Sequence, residues 1–146
     1  MTRFVTRKHA KLDRIACPWL VHRFIDINAE FVYVAPELVL DFAMREDALP
    51  FDVPNVELGH HGSQCSFDAF VRKYRVTDPA LLLMAEIVRG ADTGDMSIRP
   101  ESSGLYAIAA GFASQRPARY ANDHELLAAQ RTVYDALYEY CRKSTA

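Results

Sequence analysis

The segment "LGHHGSQCSFD" (residues 58–68) sets two imidazoles side by side between glycines, with a thiol four residues after the second. Neutral imidazole is a good ligand for zinc and other transition metals, and thiolate is a softer one. Neighbouring side chains on a strand point to opposite faces. One of His60 and His61 is therefore expected to face a site, unless a turn brings both round. Other candidates stand where elements end, since side chains there project into clefts while the backbone stays anchored. Asp92 closes an apolar stretch, and Asp123 and His124 open the last long one. His61, Asp92 and His124, with His60 beside them, would give a divalent ion such as zinc or iron three ligands and an open position. Without an ion, the loop reads as a polar turn before a helix, and the acids as caps or ion-pair partners.

A second cluster lies in "KLDRIACPWLVHRF" (residues 11–24). If Pro18 opens a helix, Cys17 stands at its N-terminus, where the macrodipole favours thiolate. Backbone N–H groups there, with Arg14 and Arg23, would suit an oxyanion. Cys65 is likewise placed at a helix start, beside the loop imidazoles. These readings predict that Cys17 or Cys65 reacts before Cys141, which falls on an apolar helix face. The alternative is a buried Cys17 beside Trp19, with the arginines paired to Asp13 and Asp26. Glu86, inside "LLLMAEIV", needs a partner, and Arg89 three residues on could supply it.

The elements that must hold these groups follow from pattern. "RFVT" (3–6) and "AEFVYVA" (29–35) read as strands. Residues 17–26, 37–47, 67–75 and 79–92 read as helices, the third capped by Ser66 and the fourth begun by Asp78-Pro79 and ended by Gly90. "LPFDVPNVEL" (49–58), with two prolines, reads as extended edge structure. Helices from about 102 and over 122–142 follow, the last with capping-box spacing at Asn122 and Glu125. The sum is one α+β domain over residues 1–146: a small mixed sheet from the N-terminal half packed with a mainly helical C-terminal half.

Composition sets limits. The chain has 146 residues, 50% hydrophobic and 25% charged, with a formal net charge of −2. That balance argues against direct nucleic-acid binding, although Arg3, Arg7, Lys8 and Lys11 form a local basic arm. No apolar run suits a membrane span, and the N-terminus lacks a signal peptide's apolar core. A cytoplasmic protein with reduced thiols is expected. Three cysteines without a CxxC pattern argue against a disulfide framework.

Taken together and in order, "KLDRIACPWLVHRFID", "AEFVYV", "PFDVPNVELGHHGSQCSFDAF", "AEIVRGADT" and "DHELL…YDALYEYCR" resemble the C-terminal domain of the chromate-resistance ChrB family. The resemblance runs from about residue 4 to 143. Within it, "RKHAK" (7–11) stands where an "RPGAK"-like turn is expected. The resemblance implies a role in bacterial chromate resistance, with chromate or a similar oxyanion as ligand and rhodanese-like or regulatory proteins as partners. Longer members carry an N-terminal regulatory part, so specific DNA binding by this chain alone is not expected. The leading expectation is an accessory domain that senses or binds chromate at a metal or oxyanion site in the His60/His61 loop. A metal-dependent enzyme and a structural interaction module are the alternatives.

Overall fold

The computed structural model describes residues 2–146. Three strands form a parallel sheet: β1 (Arg3–Arg7) in the centre, β2 (Glu30–Val34) on one side and the two-residue β3 (Leu49–Pro50) on the other. Val5 faces Val32 in one ladder and Pro50 in the other. The α+β class is as the sequence indicates, but both ladders are parallel rather than mixed. A parallel sheet needs cover on both faces, and β1 shows it. Phe4 packs in the main core with Phe31, Phe51 and Phe70, while Val5 faces a smaller cluster with Val39, Ala43 and Val53. Proline at the end of β3 suits an edge strand, since it cannot donate to a further ladder.

Helix α1 (Asp13–Phe24) starts four residues earlier than the pattern at Pro18 indicates. Pro18 lies inside it, so no N–H is available for the Arg14 carbonyl four residues back. The Tyr33 hydroxyl of β2 donates to that carbonyl instead, at 2.6 Å. This compensation is why proline is tolerated there, and it pins β2 to α1. Cys17 is consequently in the helix body, away from the N-terminal end of the dipole.

A 3-10 turn (Pro36–Leu38) and α2 (Val39–Arg45) cover the Val5 face. After β3 the chain runs without regular structure to α3 (Ser66–Lys73), whose N-cap is Cys65 rather than Ser66. Asp68 accepts from the Cys65 backbone N–H at 3.0 Å and takes a two-point pair from Arg89. Arg89 is thus committed to Asp68, not to Glu86.

Helix α4 (Pro79–Thr93) is central, packing against α1 and α3 and against α5 (Glu101–Ala113) and α6 (Asp123–Ser144). Its buried Leu81, Met84, Ile87 and Val88 each contribute roughly 1.5–3 kcal/mol by leaving water. Asp78 caps its start by accepting from the Ala80 N–H, and Asn122 caps α6 by accepting from the Glu125 N–H. Gly94, not Gly90, ends α4, in the left-handed conformation that glycine adopts freely. Gly90 lies inside the helix, where Ser102 of α5 crosses too closely for a side chain.

Candidate functional site

A cavity of 460 Å³ opens beyond the carboxyl ends of β1 and β3, the usual location for ligands on parallel sheets. Arg7 closes β1, Asp52 follows β3, Asp13 and Arg14 open α1, Asp92 lies in the last turn of α4, and His60 completes the lining from the loop before α3. The His60 segment is held down at Gly59, where an added Cβ would stand 2.7 Å from the Val53 carbonyl oxygen. Asp52 has φ of 54°, a left-handed backbone that few residues other than glycine, asparagine and aspartate accept. That geometry is over-determined: the Asp52 N–H donates to the Leu58 carbonyl, while Ser66 Oγ and the guanidiniums of Arg7 and Arg14 donate to its carboxylate.

The centre of the cavity is His60 Nε2. It lies 3.1 Å from Asp92 Oδ2, 3.3 Å from Asp52 Oδ1 and 3.5 Å from Asp13 Oδ2. Asp13 is 1% exposed. Its Oδ2 accepts from the Ser66 N–H at the start of α3, at 2.7 Å, and its Oδ1 has no partner. Burial raises the Asp13 carboxyl, with Asp52 adding to the rise. Burial, then Asp13 and Asp52, lift Asp92 to about 7. Asp52 goes the other way: burial alone would raise it, but His60, Ser66 and the two guanidiniums hold it low. Asp13 and Asp52 push His60 up to about 10. Arg14 is drawn below its ordinary value by burial and by Arg7 beside it.

Of the residues suggested by the sequence, His60 and Asp92 meet here with Arg14 on the rim. His61 turns away: its Nε2 pairs with the Glu57 carbonyl at 2.8 Å and its ring is exposed. Two adjacent side chains diverge, and only His60 enters the cavity. His124 is also elsewhere, edge-on to Tyr33 in a separate 600 Å³ cavity with His9 and Arg116. The grouping of His61, Asp92 and His124 is therefore not assembled. Arg23 faces a third cavity, paired with Asp135 and stacked on Tyr138.

Cys17 and Cys65 are fully buried, and burial followed by the nearby Asp13 carboxylate pushes both thiols up. These surroundings favour the thiol, not the thiolate expected from helix starts. Sequence reasoning does not single out Asp13, Asp52, Arg7 or Lys11 as site residues. The available signals were an acid amid the apolar start of α1 and an acid between Pro50 and Pro54.

Fold and site together define a small α+β protein that gathers three carboxylates and an imidazole at the carboxyl ends of a parallel sheet. Its family is shown directly: the model for the ChrB C-terminal domain matches residues 4–141, and the chain belongs to that family. Protein ChrB of Cupriavidus metallidurans is 31% identical over 138 residues, covering 94% of this chain and 40% of that protein. The chain thus spans well under half of that relative's length. No solved structure matches it. Among the described residues, no helix is long and apolar enough to cross a membrane.

Proposed function

We propose that this chain is a chromate-resistance accessory domain that binds chromate, or a similar tetrahedral oxyanion, at the basic rim of the cavity that His60 lines. The supporting observation is the basic rim. Arg7, Lys11 and Arg14 converge on one opening, and Lys11 has no carboxylate partner among the described residues. Its ammonium lies over the Tyr106 ring at 4.3 Å, leaving N–H donors for an anion. Arg7 and Arg14 spend only part of their donor sets on Asp52 and on backbone carbonyls. Two guanidiniums held this close are eased by an added anion. We place the activity in the cytoplasm, where Cys17, Cys65 and Cys141, all free, stay reduced.

Equilibrium dialysis against chromate, with sulfate for comparison, tests this reading in the presence and absence of divalent cation. Saturable binding is expected, weakened about tenfold or more in Lys11→Ala and Arg14→Gln. Lack of saturable chromate binding under either condition, or binding unchanged in both variants, overturns it.

A further inference from the structure

The floor of the same cavity has an organisation that anion binding does not explain. A protonated imidazole carries one N–H at Nε2. It cannot point at Asp13, Asp52 and Asp92 together, yet all three place an oxygen 3.1–3.5 Å from that nitrogen. Those separations, all measured from His60 Nε2, match edges of a coordination shell. Bonds of about 2.1 Å give edges of about 3.0 Å in an octahedron and about 3.4 Å in a tetrahedron. We infer that Asp13, Asp52 and His60, whose ligand atoms all lie within 4.8 Å of one another, hold one divalent cation of the manganese–iron class, and that Asp92, 3.1 Å from His60 Nε2, closes on it. The inference rests on the reading of this cavity as a binding site and deepens it by naming what lies beneath the basic rim.

Three further observations support it. The Asp13 carboxylate is buried, and its Oδ1 has no hydrogen-bond partner. It is also the residue common to the two clusters of potential ligand atoms, one with Asp52 and His60, the other with Cys65 and Asp92. Burying an ionised carboxylate without full pairing is costly, and a cation removes that cost. Secondly, Asp13 and Asp92 have no Lys or Arg partner among the described residues; His60 is their one ion-pair neighbour. Thirdly, Asp92 stands in the last turn of α4, at the negative end of the helix dipole, where a cation is favoured and a carboxylate is not.

The donor set indicates the class of metal. Three carboxylates and one imidazole suit manganese or ferrous iron better than a soft ion. Cys65 does not change this, because its thiol is buried and donates to Asp68 Oδ2 at 3.4 Å. Four protein ligands leave positions for water or an anion oxygen.

The test is Mn²⁺ titration of the chelator-stripped full chain in oxyanion-free buffer, followed by the electron paramagnetic resonance of free Mn²⁺. One site per chain is expected. His60→Gln and Asp92→Asn should weaken it about tenfold or more, while His61→Ala and His124→Ala stay within about twofold. Urea melts verify that each variant folds. No stoichiometric site for Mn²⁺ or anaerobic Fe²⁺, retention in both site variants, or loss in the His61 or His124 variant overturns the inference. Mn²⁺ binding without any chromate binding upholds it while overturning the proposed function. Chromate binding by a protein with no Mn²⁺ site does the reverse.

Discussion

Asp92→Asn distinguishes a ligand from a structural acid, because the two roles predict opposite signs of stability change. In the metal-free protein Asp92 is crowded by Asp13 and Asp52 and lifted from 3.8 to about 7. Its folded value lies above its unfolded one, so its contribution to stability is greatest at low pH and is lost as pH rises through about 7. At pH 8 the shift corresponds to at most roughly 4 kcal/mol against the folded state. Solvent at the cavity mouth reduces this to about 1–2 kcal/mol. The neutral isostere removes that charge. Metal-free Asp92→Asn should therefore be more stable than wild type by about 1–2 kcal/mol at pH 8, and by less at pH 5. Added Mn²⁺ should narrow or close the gap. Wild type gains about 2.7 kcal/mol when the ion is at a hundred times its dissociation constant, while a variant weakened tenfold gains about 1.4 kcal/mol. Urea denaturation in chelator, then in Mn²⁺, at both pH values reads all of these quantities. A metal-free variant less stable than wild type at pH 8 refutes the reasoning and makes Asp92 a structural acceptor.

His60 is lifted to about 10 by Asp13 and Asp52, so its stabilising contribution is complete below pH 6.5 and disappears as pH rises through about 10; His60→Ala should cost metal-free stability at pH 6 and almost none at pH 10, by thermal melting. Asp68→Ala removes both the cap on Cys65 and the two-point partner of Arg89, and should cost about 3–5 kcal/mol in urea denaturation. Cys17, Cys65 and Cys141 are all buried, and burial raises even Cys141 to about 11. All three should resist alkylation in native buffer and react only on unfolding, as peptide mapping would show.

Strong local patterns made most elements legible: the β-branched run at β2, the Asp78-Pro79 start of α4 and the Asn122 cap of α6. The start of α1 was not legible, because Pro18 normally marks a first turn. Only a tertiary contact, the Tyr33 hydroxyl on the Arg14 carbonyl, allows it inside the helix. Gly90 misled for a similar reason, since close packing against Ser102 and not a turn requires it. The site was half legible. His60 and Asp92 stood out by residue type and by position at an element's end. Asp13 and Asp52 did not, because an acid's role depends on which other acids the fold brings beside it. The choice between His60 and His61 depends on the backbone of an irregular loop, which carries no periodic signal.

The turn between β1 and α1 is held from far along the chain. Asp123 accepts from the N–H groups of His9 and Ala10, at 2.9 and 2.7 Å, and Arg116 donates to the Ala10 carbonyl at 2.6 Å. His9 there has φ of 68°, a conformation it would not keep unaided. This turn sets the direction in which α1 leaves, and with it the position of Asp13 and Arg14. No residue beyond Tyr106 lines the cavity, yet its shape depends on an aspartate more than a hundred residues after the turn. On the ribosome, the polar centre therefore cannot take its final form until the start of α6 has emerged. Chains stopped before Asp123 would hold every residue of the pocket and still lack the pocket.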